Sequence, residues 1–218
     1  ATRIATHTAE DVFVRGRSLC GELIGRVGFT QMIVFQMLGR MPGETETRLV
    51  DACLVTLMEH GLTPSALAAR LVYSSGPEAL QGAVAAGLLG VGSVFVGTIE
   101  GCGALLARIV ATGEGATEEA ARIVEEHRAA RRPVPGFGHP THKPDDPRSI
   151  VLLDLARSEG VAGPWVAALE LLAEAVDRAR GRHVTVNATG AIAAVLGDCG
   201  VPPEIMRGFA LIARCAGL

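Results

Sequence analysis

The sequence predicts an all-α fold, and three observations support this. The 218-residue chain is 49% hydrophobic but only 4% aromatic, so its core consists of small and branched aliphatic side chains that suit close helix packing. Apolar residues recur at helical spacing in most segments. Proline, threonine and glycine separate these segments as helix start and stop signals, which gives about ten helices.

Composition and charge argue against several classes of protein. The net charge of -3 and the pI near 6.1 give no basic footprint for nucleic acid, although a local basic pocket can still hold an anion. Five scattered cysteines without a CxxC pair are typical of free thiols in a reducing compartment. We see no signal segment, and every apolar run is too short for a membrane span. We therefore expect a cytoplasmic protein with no nucleic acid or membrane partner.

The N-terminal part is expected to contain an uncertain arm and two helices. Residues 1–17 alternate only weakly, so short strands and an irregular arm both remain open. Apolar residues at helical spacing predict a helix over residues 22–38, ended by Gly39. After a Pro42-Gly43 turn, residues 44–59 predict a second helix, with acidic residues in its first turn where the helix dipole favours them.

The middle of the chain predicts three more helices and one ambiguous segment. Thr63 can cap a helix that begins at Pro64 and runs to about residue 73. Residues 77–89 and 117–130 also have helical character. Residues 90–103 contain five glycines and leave three interpretations open. These are a strand-like turn, a close backbone approach to a ligand, and a tightly packed helix start.

The C-terminal part predicts helices over residues 149–158, 164–181 and 203–218. Between them, residues 183–189 are short and β-branched, and residues 190–196 are apolar and small. The last helix is still running at the final residue, so we expect the natural protein to continue beyond it.

A rigid polar loop at residues 133–148, P-V-P-G-F-G-H-P-T-H-K-P-D-D-P-R, interrupts this helical pattern. Its prolines exclude a helix interior and a central strand. It also gathers two histidines, a lysine, two aspartates and an arginine. Such a loop on a stiff scaffold is a favourable place for chemistry, and the alternative is a surface connector between helices.

Three side chains are candidates for chemistry on position alone. His60 lies at a predicted helix C-terminus, where the dipole stabilises an imidazolium, or where the ring can simply cap the helix. His139 follows Gly-Phe-Gly, where a ligand can approach closely, or it is an ordinary turn histidine. Arg148 can hold a carboxylate with two hydrogen bonds, or it pairs with Asp145 or Asp146. No histidine pair has metal-ligand spacing with a carboxylate, so we expect no metal site.

Four motifs together resemble the citrate synthase superfamily. P-G-F-G-H-P-T-H-K-P-D-D-P-R is similar to its catalytic loop, and M-E-H-G-L-T-P-S-A-L-A-A-R to its first histidine motif. T-V-N-A-T-G-A-I stands where the family has N-V-D, and A-R-C-A-G-L resembles its late arginine motif. They follow the family order over residues 49–218, and four ordered motifs are far more specific than one.

Within the superfamily, residues 87–101 resemble the citryl-CoA lyase module of ATP-citrate lyase and the small stand-alone citryl-CoA lyases. Ordinary synthases carry P-L-H-G where this chain has Val94-Phe95-Val96-Gly97. The resemblance implies a citrate synthase-like multi-helical fold in one unit, residues 1–218. Its larger core and dimer subdomain would comprise residues 1–60 and 196–218, and its smaller CoA-binding subdomain residues 61–195.

The resemblance also implies a Claisen condensation of acetyl-CoA with oxaloacetate, or its reverse. A coenzyme A thioester would be a substrate, with no permanently bound cofactor. His139 would serve the hydroxyl or ketone oxygen, His60 would donate to the thioester oxygen, and Arg148 and Arg214 would hold carboxylates. The CoA adenine would meet the backbone of Val134, Pro135, Gly136, Phe137 and Gly138. A homodimer or larger homo-oligomer is implied as well, because the family completes its carboxylate pocket with an arginine of the partner subunit.

Asn187 departs from the family pattern, which has the catalytic aspartate there. A carboxamide is not a Brønsted base, and loss of a general base usually costs orders of magnitude in rate. Asn187 can hydrogen-bond a thioester, hold a water, or only cap the following helix. Three hypotheses remain: a citryl-CoA lyase, a citrate or alkylcitrate synthase with an altered base, and a non-catalytic acyl-CoA-binding protein.

Overall fold

The computed structural model describes residues 4–59, 61–92, 94 and 96–218, and within them the protein has ten α-helices and one small sheet. The predicted all-α class is confirmed. The helices are α1 (Phe29–Leu38), α2 (Glu44–Met58), α3 (Pro64–Ser75), α4 (Leu80–Leu89), α5 (Thr98–Thr112), α6 (Ala116–Ala129), α7 (Pro147–Ser158), α8 (Pro164–Arg180), α9 (Ala188–Asp198) and α10 (Pro203–Gly217).

The N-terminal arm contains short strands, which was one of the two open interpretations. The strands β1 (Ala5–His7), β2 (Val12–Val14) and β3 (Arg17–Ser18) form an antiparallel sheet in chain order. One face of this arm packs into a small separate cluster built on Val14, Leu23 and Phe35.

The prediction of one helix over residues 22–38 is wrong in its first part. The chain makes a single π-helical turn, Leu19–Leu23, and α1 begins only at Phe29. Gly25 has a φ of 75°, which ends the turn, and Gly28 starts α1 with its N–H donating to the Gln31 side chain at 2.9 Å. Apolar spacing continues across this break, so periodicity alone could not reveal it.

The other predicted helices are present, with small shifts of their ends. Residues 98–103 form the start of α5, so the tightly packed helix start is confirmed for this part of residues 90–103, and a close backbone approach to a ligand stays a prediction. A Cβ atom on Gly103 would lie 2.6 Å from Sδ of Met206 in α10, so α5 and α10 approach too closely for a larger residue. Each described helix is too short or too polar to meet the requirements of a membrane span.

Helix α9 is the centre of the main hydrophobic core. All of its residues from Gly190 to Gly197 are buried, and it packs against α2, α5, α7 and α8. Alanine and glycine dominate α9, which allows these neighbours to approach closely. Both predicted subdomains contribute residues to this core, and their separation stays a prediction.

Three of the five cysteines, Cys53, Cys102 and Cys199, are buried free thiols. Burial raises the pKa of Cys102 to about 12, so its thiol stays protonated and packs as an apolar group. Cys20 and Cys215 are exposed free thiols.

The polar loop is fastened over the start of α9 by a short antiparallel pairing. Phe137 pairs with Val186, the N–H of Gly138 donates to Thr185 O at 2.7 Å, and the N–H of Asn187 donates to Gly136 O at 3.0 Å. Gly136 has a φ of 91°, and a Cβ atom there would lie 2.6 Å from Sγ of Cys102. Only glycine fits this point, where the loop crosses between α5 and α9.

Candidate active site

One cavity of about 710 Å³ lies where the starts of four helices meet the polar loop. Ser65 of α3, Thr98 of α5, Arg148 of α7 and Thr189 of α9 all line it. Helix N-termini carry partial positive charge and unpaired N–H groups. The cavity is therefore suited to an anionic ligand.

Two sides of the cavity differ in character. We call residues 133–148 together with 185–189 the loop wall, and its polar lining side chains are His139, Arg148, Asn187 and Thr189. We call a second set of lining residues the apolar wall, and it consists of Thr56, Leu57, Val91, Val94 and Val96.

Every described residue of the predicted site lines this single cavity. These residues are Val134, Pro135, Gly136, Phe137, Gly138, His139, Arg148, Asn187 and Arg214. His60, the other predicted catalytic residue, lies outside the described residues. The motifs were therefore brought together by the fold, while the role of each residue stays a prediction.

The imidazole of His139 is held by backbone donors on one side. Its Nδ1 accepts hydrogen bonds from the N–H groups of Thr141 at 3.1 Å and His142 at 2.9 Å, so the neutral ring carries its proton on Nε2. The ring of His142 stacks on it with a centroid distance of 4.4 Å. Burial, followed by the neighbouring His142, lowers the pKa of His139, and Asp146 only partly opposes this. The ring is therefore a neutral donor at neutral pH.

Arg148 and His139 present two donors to the same space. Nη2 of Arg148 lies 3.3 Å from Nε2 of His139. A guanidinium has no lone pair to offer, and Nε2 of this tautomer carries a hydrogen, so the two groups cannot satisfy each other. Both groups can therefore donate to a shared acceptor in the cavity.

Asp146, which is fully buried, sets the position of Arg148. Nε of Arg148 donates to Oδ1 at 3.0 Å and Nη2 to Oδ2 at 2.7 Å. The carboxylate also accepts from the N–H of Arg148, which caps α7, and from the N–H of Ala188 at 3.1 Å. Burial alone would raise the pKa of Asp146, but the hydrogen bonds from Arg148 and Ala188 outweigh it and lower the pKa. An ionised Asp146 thus joins α7 to α9.

Asn187 uses both ends of its amide within the protein. As N-cap of α9, its Oδ1 accepts from the N–H groups of Thr189 at 3.1 Å and Gly190 at 3.2 Å, and from the Thr189 hydroxyl at 2.6 Å. Its Nδ2 donates to Gly138 O at 2.9 Å. The helix-capping alternative therefore describes its hydrogen bonding, and the amide has no acid or base to offer.

Arg214 is a buried cation on the opposite side of the cavity, with only 4% of its surface exposed. Its Nε donates to Leu57 O at 3.1 Å. Within the described part of the chain, no carboxylate lies at ion-pair distance from it. Burial lowers the pKa of Arg214, and Glu59 offsets this only in part. A buried charge without a carboxylate at ion-pair distance is costly, so this position suits an anionic ligand group.

Several lining residues were not predicted from the sequence. The hydroxyls of Thr63 and Ser65 lie 3.0 Å apart at the start of α3, and the Thr98 hydroxyl donates to Thr189 Oγ1 at 3.1 Å. His127, whose Nδ1 lies 2.8 Å from Ile123 O, and Arg132 also border the cavity at the entrance to the loop. Only Thr63 gave a sequence signal, as a helix cap, while the others depend on tertiary packing.

Comparison with known families and structures gives a consistent result. Residues 26–218 match the family described as citrate synthase, C-terminal domain. The solved structure of citryl-CoA lyase from Hydrogenobacter thermophilus superposes with a TM-score of 0.90 at 34% identity, over 100% of this chain and 83% of that one. ATP citrate lyase from Methanothrix soehngenii, solved with citrate and coenzyme A, gives a TM-score of 0.81 at 22% identity. That match covers 100% of this chain and 37% of that one, and it supports the fold alone.

Among curated proteins, 191 residues are 28% identical to a Mycobacterium tuberculosis protein named as a candidate citrate synthase. This match covers 85% of the chain and 50% of that protein, so the chain spans about half the length of the curated relative.

Proposed function

Because this chain belongs to the citrate synthase family, we propose that it is a citryl-CoA lyase, which cleaves citryl-CoA to acetyl-CoA and oxaloacetate. Its family and its structural neighbours indicate an enzyme of the lyase or citrate synthase type. One observation carries the finer proposal: a single cavity unites the buried cation Arg214 with the paired donors of His139 and Arg148. The 34% identity to a citryl-CoA lyase over the whole chain supports it further.

The carboxylates of the citryl group would bind at the two arginines. Arg214 has no acidic partner at ion-pair distance among the described residues and would hold one carboxylate with charge-assisted hydrogen bonds. Arg148 is kept in place by Asp146 and would orient the other end of the molecule. The N-termini of the surrounding helices add positive potential.

Cleavage would begin at the tertiary hydroxyl, whose oxygen would accept from Nε2 of His139 and Nη2 of Arg148. These donors lower the pKa of the hydroxyl, so that its proton can leave to water. As the C–C bond breaks, the alkoxide becomes the ketone of oxaloacetate, and the bonding electrons pass to the α-carbon of the thioester. The resulting enolate takes a proton from water, because Asn187 has no acidic proton to supply.

Coenzyme A would enter along the loop wall, with its adenine against residues 134–138. His127 and Arg132 border the same entrance and would favour the negatively charged phosphates. The role of His60 at the thioester oxygen stays a prediction from the motif.

A non-catalytic acyl-CoA-binding protein is the second candidate, and a specific observation favours it. The amide of Asn187, at the position of the family's base, caps α9 with its oxygen and donates to Gly138 O with its nitrogen, and it has no acidic or basic group for proton transfer. Such a site could bind the thioester without turning it over. A synthase with an altered base has no comparable observation in its favour, since no replacement carboxylate lines the cavity among the described residues.

Three measurements on the purified natural full-length protein separate these candidates. Oxaloacetate release from citryl-CoA reports cleavage, thiol release from acetyl-CoA and oxaloacetate reports condensation, and calorimetry with coenzyme A reports binding. The proposal predicts cleavage that clearly exceeds condensation. Binding without either reaction would favour the non-catalytic protein, and a folded protein that does not bind coenzyme A would contradict both.

We also propose a homodimer, built in part on the helical pair α3 and α4. These helices pack on each other and leave Leu67, Leu71, Leu80 and Leu89 exposed. A second copy would cover this apolar face. Light scattering coupled to size-exclusion chromatography should give twice the monomer mass, whereas a stable monomer at micromolar concentration would contradict this.

A further inference from the structure

The segment that returns from α8 toward α9, residues 183–188, runs along the C-terminal half of the polar loop. The Thr185 hydroxyl donates to Pro144 O at 2.7 Å, and the Ser149 hydroxyl donates to Val186 O at 2.8 Å. We call residues 183–188 the return segment. It holds the part of the loop that carries Arg148.

His183 begins the return segment and bridges two carboxylates from different parts of the fold. Its Nδ1 lies 2.8 Å from Oδ2 of Asp177, near the end of α8, and its Nε2 lies 2.9 Å from Oδ1 of Asp145 in the loop. Asp177 is fixed separately, because its Oδ1 accepts from the N–H of Val184 at 2.8 Å. Asp145 directly precedes Asp146, the carboxylate that holds Arg148.

We propose that His183 is a positioning residue, which as an imidazolium fastens the loop carrying Arg148 to α8 and loosens it on losing its proton. Ionised carboxylates only accept hydrogen bonds, so two of them require two N–H donors. An imidazolium has two, and a neutral imidazole has one. After deprotonation, one ring nitrogen therefore presents a lone pair to a carboxylate.

The electrostatic surroundings of the ring agree with this assignment. The charged groups that face it are Asp177, from α8, and Asp145, from the loop. The hydrogen bond from Asp177, followed by that from Asp145, raises the pKa of His183, and burial opposes this only in part. Because the pKa of His183 is raised in the folded protein, the ring is protonated and the bridge is complete below about pH 6.5, the usual pKa of histidine. The bridge is lost as pH rises through the higher pKa that His183 has in the folded state.

Three variants test the bridge. In Asp145→Asn, the carboxylate becomes an amide, whose N–H can donate to Nε2 of a neutral His183. Nδ1–H of the same ring still donates to Asp177, so the bridge persists with an uncharged imidazole. His183→Gln keeps only one donor. His7→Gln removes an exposed histidine of β1 in the N-terminal arm and serves as the matched control.

The primary readouts are independent of catalysis. In the wild type, the NMR titration of His183 should give a pKa above about 6.5, and Asp145→Asn should lower it. Amide exchange protection of residues 142–148, corrected for intrinsic rates, should fall about three- to tenfold between about pH 6 and pH 9. Protection should stay level in Asp145→Asn, stay low at all pH values in His183→Gln, and follow the wild type in His7→Gln.

The effect on turnover rests on the proposed function. In the wild type, the kcat for citryl-CoA cleavage should fall over the same pH range by a similar factor, because Arg148 is proposed to donate to the reacting oxygen, and Asp145→Asn should remove that fall. An unshifted His183 pKa, or exchange that is equally flat in wild type and Asp145→Asn, overturns the positioning role. If no variant cleaves citryl-CoA while the titration and exchange results hold, the lyase proposal fails and the bridge stands.

Discussion

The two arginines of the cavity occupy opposite electrostatic settings. Arg148, on the loop wall, is held by the buried carboxylate of Asp146 through two side-chain hydrogen bonds. Arg214, beside the apolar wall, donates to a backbone carbonyl and has no carboxylate at ion-pair distance among the described residues. The protein balances the first charge with an adjacent carboxylate, and the second only through the partial influence of Glu59. We propose that this difference divides the roles: the loop wall would position the reacting atoms, and Arg214 would attract the acid.

The largest effect is expected from the loop wall. His139→Ala removes one of the two donors aimed at the reacting oxygen, so citryl-CoA cleavage should fall by about 10²- to 10⁴-fold. Coenzyme A affinity, measured by calorimetry, should change little, because the proposed adenine contacts are with the backbone of residues 134–138. His7→Ala serves as the control and should keep full activity. If His139→Ala lowers the cleavage rate by less than threefold, His139 does not take part in the reaction.

The same substitution at both arginines tests the comparison directly. Arg148→Met leaves the buried carboxylate of Asp146 without its cation and should destabilise the fold by about 3 kcal/mol. This is the lower end of the losses that follow when one partner of a buried ion pair is removed, because Arg148 is partly exposed. Arg214→Met removes a buried cation that Glu59 balances only in part, so the melting temperature should hold or rise. Its affinity for oxaloacetate should fall about 10- to 100-fold, the value of a charge-assisted hydrogen bond.

Thermal denaturation measures the expected difference in stability between the two variants, and calorimetry measures their affinity for oxaloacetate. Equal destabilisation of both variants would mean that Glu59 balances Arg214 as fully as Asp146 balances Arg148. Unchanged oxaloacetate affinity in Arg214→Met would separate this residue from substrate binding.

The sequence predicted which motifs would meet, but not how they are held. His139, Arg148, Asn187 and Arg214 were found because their motifs follow a known order, and they do line one cavity. Asp146 appeared only as one of two possible partners of Arg148, although an aspartate before Pro147 also has the signature of a helix cap. Its further hydrogen bond to Ala188 is a contact across 42 residues, which no local pattern reveals.

The prediction of one helix over residues 22–38 was wrong for a different physical reason. Apolar spacing was continuous over residues 22–38, yet Gly25 and Gly28 divide the segment. Backbone freedom at Gly25, whose φ is 75°, overrode a side-chain pattern, because Leu23 could pack into the small N-terminal cluster without belonging to α1.

A smaller effect is expected from restoring the family's carboxylate at the loop wall. In Asn187→Asp, a carboxylate oxygen would replace the amide N–H that donates to Gly138 O, so stability should fall by about 1 to 2 kcal/mol. The N–H groups of Thr189 and Gly190, which cap α9, would keep the new carboxyl group ionised, and a carboxylate is a Brønsted base whereas the amide is not. Condensation of acetyl-CoA with oxaloacetate should therefore increase relative to cleavage.

Thiol release from acetyl-CoA measures this gain, and Asn187→Ala, which removes the cap but adds no base, is the matched control. An equal rate in both variants would mean that this position does not face the thioester.

The smallest effect is expected from the apolar wall. Val94 lines the cavity but is 77% exposed, so Val94→Ala should alter stability by no more than about 0.5 kcal/mol. Cleavage should remain within about threefold of wild type, because truncating an exposed valine removes little contact area. A loss as large as that of His139→Ala would mean that the apolar wall also takes part in catalysis, and the two walls would then not differ in role.

A crystal structure of the protein with oxaloacetate tests the central claim most directly. We expect the ketone oxygen to accept from both Nε2 of His139 and Nη2 of Arg148, with a carboxylate on Arg214. Oxaloacetate bound away from this cavity, or bound in it with its ketone facing neither donor, would contradict the account.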